Sequence, residues 1–485
     1  APINDLNDTY VNFDGITYAK GASVLKQLVY YVGREKFFQG INQYLNKYAY
    51  SNATLADLLH ELEKASGRDL KAWSAKWLEE SGINTIATEV EENADGTIAS
   101  LTLNQTAPAE HPVLRPHRLA VGFYDEDPAT GKIVRTDRFE LDVDGESTVA
   151  AAAAGKKRPA FILVNDDDLT YTKLRFDADS LSFALANLQR FDDALARAVV
   201  WLSLWDMTRD GDLAAEKFID TTLALLATET ESTTFRYALS CMSTTAWHYT
   251  APDRRADVVK HVAKELWKLV IAAPGGSDQQ FQLVTAYLGY GEEGDAEFAE
   301  HAQGLFDGSL IVAGLEIDNN FTWTIINALS SVKLIDQAGI DAQLAKRDTT
   351  ENREFALGAH AVRGDAAAKE WAWNEALNNA DLTNMQLEAV ARGFGATPRP
   401  DLAEPYAAKY YDVVDWVWKN KSFHMAEALL EGLYPYYADP ATLVELGHRW
   451  LADHEDADNA LKRIVRGNVE SSQRTLKVRD FNAAL

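Results

Sequence analysis

The chain reads as a mainly α protein with a small β insert: four short helices, then a β-sandwich, then helices to the end. Three observations predict this. Apolar residues recur at helical spacing up to about residue 83, the period changes to 2 between 84 and 176, and from Asp177 helical runs of ten to twenty residues alternate with short polar breaks. The expected domains are therefore 1–83, 84–176 and 177–485. With 485 residues, 47% of them hydrophobic, there is enough apolar surface for several cores.

In the first helix, ASVLKQLVYYVG, residues Val24, Leu25, Leu28, Val29 and Val32 fall on one face. Asp14 and Gly15 form a turn before it, Thr17 is placed to cap it, and Gly33 closes it as a left-handed cap. Tyr18 then stands at the mouth of a buried helix with a phenol able to donate a hydrogen bond. The second helix, from Arg34, turns Phe37, Phe38, Ile41, Tyr44, Leu45 and Tyr48 inward. Thr54 caps the third with Asp57 as its capping-box partner; Leu55, Leu58, Leu59 and Leu62 are its core and Gly67 its end. The fourth starts at Asp69, carries Trp73, Trp77 and Leu78 inward and stops at Gly82.

Strands are expected near 86–90, 98–103, 118–124, 133–143, 160–164 and 170–176, six or seven in all. Asp95-Gly96, Thr130-Gly131 and Asp144-Gly145 form the turns. Beyond them, helix hairpins separated by breaks such as AAPGGSDQQ (272–280) and GATPRPD (395–401) predict an α-solenoid or superhelical bowl without a regular repeat.

A net charge of −26 excludes binding to a phosphate backbone, which needs clustered Lys and Arg. Residues 177–485 hold 28 basic and 47 acidic groups and so carry most of the excess, which serves solubility or draws cationic peptide ends. The sequence has no apolar run of membrane-spanning length, and APINDLNDTY lacks the parts of a signal peptide. A single cysteine, Cys241, cannot form an internal disulfide and fits a cytoplasmic protein.

Metal and nucleophile motifs are thin. His60-Glu61-Leu62-Glu63-Lys64 has Lys where a zinc helix needs its second His. His448 and His454 diverge around a helix, His111 and His117 flank prolines in a β linker, and all are taken as solvated or structural. Asp166, Asp167 and Asp168 read as a solvated turn. In the tail, Lys462, Arg463, Arg466, Arg474, Lys477 and Arg479 face only Glu470 and Asp480; Arg463, Arg466, Arg474 and Lys477 share one helical face.

FDGITYAKGASVLKQLVYYVG, with the aromatic, N-A-T-capped and W-x-x-x-W-L helices after it, resembles the segment that closes the catalytic domain of the M1 zinc aminopeptidases of the bacterial aminopeptidase N type. Residues 177–485 resemble that family's helical C-terminal domain, notably LWDMTRDG (204–211) and AAAKEWAW (366–373). The resemblance implies that residues 1–83 are the helical end of a zincin-like catalytic domain. It also implies that the zinc motif H-E-x-x-H and the G-x-M-x-N substrate loop lie before Ala1, in a portion of the same protein that is this chain's partner. Zinc is then the cofactor of the complete enzyme and is not bound by this chain, which alone is expected to be inactive. The tyrosine of the family's Y-x-K-G falls on Tyr18, the oxyanion stabiliser; Ala19 stands where several relatives carry Glu, and Lys20 completes the motif. Peptides are the implied substrates, and Arg474 and Arg479 are candidates to grip a peptide's free carboxylate. The other reading open to the sequence is a non-enzymatic helical scaffold or peptide-binding module.

Overall fold

The computed structural model describes residues 16–485, with the side chains of residues 16 and 17 outside the description. The turn expected at Asp14-Gly15 and the side-chain cap expected from Thr17 therefore lie outside the described residues. Two compact units divide the chain at Met207/Thr208.

The first unit opens on a π-helical turn, Ile16–Lys20, running directly into α1, Gly21–Val32. The backbone is thus already helical at Thr17, where a cap was expected. Val24, Leu28 and Val32 are buried, but Leu25 is 54% exposed. Gly33 ends α1 with φ 85° and ψ 131°, which lies outside the left-handed helical region, and the next helix starts at once.

Helix α2, Arg34–Lys47, departs most from expectation, because Phe38 and Leu45 point outward and Gly40 is its fully buried residue. A Cβ at Gly40 would lie 2.7 Å from Leu62 Cδ2 and 3.1 Å from Leu62 Cα, so close backbone approach replaces an aromatic stripe here. Helix α3, Leu55–Ser66, has the expected Thr54/Asp57 capping box and the Gly67 left-handed cap; Leu59 and Leu62 are its core, while Leu55 is exposed. Helix α4, Leu70–Ser74, is capped by Asp69 and continues through a second π-helical turn, Ala75–Glu79. Trp73 and Trp77 are buried there, and Leu78 faces outward.

Seven strands follow: β1 Thr85–Glu92, β2 Ile98–Thr106, β3 His117–Glu126, β4 Ile133–Val143, β5 Ser147–Val149, β6 Phe161–Asp166 and β7 Lys173–Arg175. They form a four-stranded sheet, β5-β2-β1-β7, and a three-stranded sheet, β4-β3-β6. All neighbours are antiparallel except β1 and β7. The expected turns end in Gly96, Gly131 and Gly145 at φ 77°, 70° and 76°. Strand β6 is buried throughout, and helix Ala178–Asn187 adjoins it, with Phe183 stacked on Phe161 at a ring separation of 6.4 Å.

Asp166, Asp167 and Asp168 are not a solvated turn. Asp166 is buried, accepting from Tyr124 Oη at 2.6 Å and from Arg135 at 2.7 Å, and Asp167 pairs with Arg135 and Arg138. Asn165, Asp167 and Asp168 all have positive φ, held by the Asn165 amide, which exchanges two hydrogen bonds of 2.9 Å with the Thr170 backbone.

The second unit is helical throughout, from Ala215–Leu226 to Asn459–Ala483. Most helices start on a side-chain cap; Ser277, Asp295, Asp318, Asp336, Thr349, Asp365, Thr383, Asp439 and Asp458 all serve. Helices 350–361, 384–395 and 423–432 touch through glycine: a Cβ on Gly393 would meet Gly358 O at 2.6 Å, and one on Gly395 would meet Gly432 O at 2.6 Å. Between these helices Lys369 of AAAKEWAW is buried, and its ammonium donates to Ala361 O, Gly393 O, Phe394 O and Thr397 Oγ1. Burial pushes its pKa down to about 7, while the oxygen cage at two helix C-termini favours the charged form.

Replacing Lys369 by Met strands three carbonyls. It should lower unfolding free energy by about 3 kcal/mol in urea titration. An unchanged midpoint would show that the cage is not an anchor.

Candidate active-site segment

Tyr18 sits in the π-helical turn that opens α1, and it is 60% exposed. Such turns widen the helix locally and recur at functional sites. Lys20, two residues on, is half-buried, and burial followed by repulsion from Arg115 lowers its pKa. Tyr18 is thus an exposed phenol on a helix whose other end is buried.

That helix is fastened from one side. Lys26 Nζ donates to Asp167 O at 3.1 Å and pairs with Asp168 at 3.3 Å. Gln27, fully buried, accepts through Oε1 from Thr170 Oγ1 at 2.6 Å and from the Tyr171 amide at 3.1 Å. Thr170 in turn contacts His117 Nδ1 at 2.7 Å, and His117 Nε2 lies 3.0 Å from Gln105 Oε1. The edge of His117 meets the Trp77 ring at 5.2 Å, and Trp77 Nε1 donates to Pro116 O. Arg115 donates to Lys76 O, Glu80 O and Ser81 O, the free carbonyls where α4 and its π turn end. Sequence reasoning missed Gln27, Thr170 and Arg115. The proline-flanked pair in L-R-P-H was the available signal, since a buried charge needs acceptors from more than one element.

No group of three or more His, Cys, Asp or Glu is placed to hold a metal ion among the described residues. His60 is exposed, and Glu61 beside it is committed to Lys47 at 2.7 Å. His448 contacts Gln473, and His454 stacks on Trp450 and pairs with Asp415 at 2.9 Å. His117 is deeply buried, not solvated. The described residues do not fit zinc.

In the second unit the tail is one continuous helix, so the basic stripe forms, but its members have different surroundings. Arg466 and Lys477 are exposed, and Arg474 is half-buried against Tyr249, whose phenol it hydrogen-bonds. Arg479 is buried. Its Nε donates to His248 O at 2.7 Å, and its Nη2 has no partner. Arg255 also has an unpartnered Nε, and the two guanidinium groups repel each other. Arg474 and Arg479, the two candidates for a carboxylate grip, thus differ in surroundings: the first is partly open and the second is locked inside.

The whole is a mostly helical protein in which helices lead into a two-sheet β module and then into a long helical domain, with a tyrosine exposed at the head of the first helix. Residues 161–474 match the ERAP1-like C-terminal domain, and residues 1–77 match the peptidase family M1 domain. The chain belongs to the family of the ERAP1-like C-terminal domain. It is 39% identical to aminopeptidase N of Streptomyces lividans over 490 aligned positions, covering 100% of this chain and 57% of that relative. Aminopeptidase M1-B of Oryza sativa subsp. japonica is 29% identical over 38% of this chain and 20% of its own length. Probable aminopeptidase 1 of Sulfurisphaera tokodaii is 38% identical over 18% of this chain and 11% of its own. The chain thus spans little more than half the length of the Streptomyces relative.

Burial, followed by the charges of Arg479 and Arg255, pushes the His248 pKa down to about 3. The unfolded chain, with a value of about 6.5, therefore binds the extra proton first as pH falls. Stability from this group is complete above about pH 6.5 and lost progressively as pH falls toward 3. His248→Gln should flatten that part of the stability profile in denaturant titrations; an unaltered slope would mean that His248 is charged in the folded protein.

Proposed function

We propose that this chain is the carboxyl-terminal part of a zinc aminopeptidase that releases N-terminal residues from peptides, with Tyr18 as its oxyanion stabiliser. The observation that carries this is the Tyr18 phenol, exposed at the head of a helix whose far side is fastened to the β module. A neutral donor held in place and aimed at developing charge favours the transition state over the bound substrate. The zinc ion is assigned to residues outside this chain, since none of the described residues form a ligand set.

The outward faces of the first helices support the same reading. Leu25, Phe38, Leu45, Leu55 and Leu78 are all exposed, more large apolar side chains than so short a segment ordinarily leaves in water. They suit a helical wall against which the rest of a peptidase domain packs. Residues 84–176 form the β-sandwich domain in this proposal, and residues 177–485 an irregular α-solenoid, each helix pair packing on the next. The lone, buried Cys241 and the absence, among the described residues, of any helix long and apolar enough to cross a membrane are compatible with a cytoplasmic setting.

For the substrate's carboxylate end, Arg474 is the better of the two candidates. Arg479 spends its Nε on a backbone carbonyl and is buried, whereas Arg474 keeps part of its surface open.

In the complete enzyme, Tyr18→Phe should lower kcat by roughly 10²- to 10³-fold and leave the affinity of a ground-state competitive inhibitor unchanged. Near-normal turnover would return Tyr18 to a structural role. Arg474→Ala should raise KM for a tetrapeptide by about 3- to 10-fold without altering an aminoacyl anilide. Equal effects on the two substrates would remove Arg474 from the binding site.

A further inference from the structure

The buried row that fastens α1 is one hydrogen short. It contains three contacts: Gln27 Oε1 to Thr170 Oγ1, Thr170 Oγ1 to His117 Nδ1, and His117 Nε2 to Gln105 Oε1, at 2.6, 2.7 and 3.0 Å. Each needs one hydrogen. The threonine hydroxyl supplies one and a neutral imidazole supplies one, while both ends of the row are acceptor oxygens.

Gln105 cannot turn to relieve this. Its Oε1 also accepts from the Arg115 amide at 3.2 Å and its Nε2 donates to Gly145 O at 2.8 Å, so rotation would set donor against donor and oxygen against oxygen. Gln27 can turn. Its Nε2 has no partner, and rotation would bring an amide hydrogen to Thr170 at the cost of the Tyr171 bond and of turning a donor towards that one N–H. The alternative is a second proton on His117, with which Gln27 keeps both bonds.

We propose that Gln27 is a positioning residue of α1, whose amide takes one of two orientations according to the proton count on His117. With His117 doubly protonated, Gln27 accepts two hydrogen bonds from the loop after β6; with His117 neutral, it donates one and no longer accepts from the Tyr171 amide. The β module thereby sets how many bonds hold the helix that begins at Tyr18. Only this last step rests on the Tyr18 reading above.

The charge that acts on His117 is Arg115, which opposes a second proton; Glu80 acts on Arg115, Arg115 acts on Lys20, and on the α1 side Lys26 pairs with Asp168 of the loop. Burial and Arg115 together hold His117 well below the ordinary histidine range, at about 3. The turned amide is therefore the neutral-pH state. Glu at position 27 would accept from both Thr170 and Tyr171 without turning and would supply the missing counter-charge.

The test is nitrogen-15 NMR of the histidine rings in this 485-residue chain, with His117 assigned by His117→Gln. At pH 7 the wild-type ring should carry its proton on Nε2 alone, and the Gln27→Glu ring should be protonated on both nitrogens. A wild-type ring charged at pH 7, or a Gln27→Glu ring that stays neutral, would overturn the coupling. In the complete enzyme, Gln27→Leu should lower kcat about 10-fold or more with inhibitor affinity unchanged, and Gln27→Glu should restore it. If the NMR result holds while Gln27→Leu leaves kcat intact, the positioning role fails and the coupling stands; Tyr18→Phe reads the tyrosine's own role separately.

Discussion

Arg115 is the constraint on which the first unit depends. Its guanidinium reaches three carbonyls at the end of the π turn after α4, its own amide is taken by Gln105, and its charge acts on both Lys20 and His117. One side chain thus closes the helical segment, seats it on the β module and sets the electrostatics beneath α1. A buried cation without a carboxylate partner is tolerable only because helix C-termini present oxygen dipoles to it. Lys369 solves the same problem in the second unit by the same means, with the carbonyls of Ala361, Gly393 and Phe394 as its cage.

Much of this architecture is legible in the sequence because it is written locally. The Thr54/Asp57 box, the Gly67 cap, the strand runs and the turn glycines are all short-range features, and each is where its residues predict. Three-residue β5 was not foreseen, since Ser147–Val149 is too short to show a period. The inward faces of α1 to α4 were overcalled. Phe38, Leu45, Leu55 and Leu78 continue an apolar pattern but meet water, and periodicity reports which residues share a face, not whether a neighbour covers it.

The site was legible only by resemblance. Nothing in the spacing around Tyr18 distinguishes a catalytic phenol from a core one; the structure adds its exposure and the π turn that carries it. The polar row beneath α1 escaped because its members, Gln27, Gln105, His117 and Thr170, are up to 143 positions apart and are individually ordinary. Similarly, the two tail arginines offered as carboxylate grips, Arg474 and Arg479, are distinguished by their burial, which the sequence does not show.

The glycine contacts of the second unit bear on how closely its helices can lie. Gly358, Gly393, Gly395 and Gly432 let backbone approach backbone at those points, with only small side chains such as Ala361 and Ala391 beside them. There helices 350–361, 384–395 and 423–432 are spaced by main chain, so a side chain added at Gly393, Gly395 or Gly432 would have to push two helices apart.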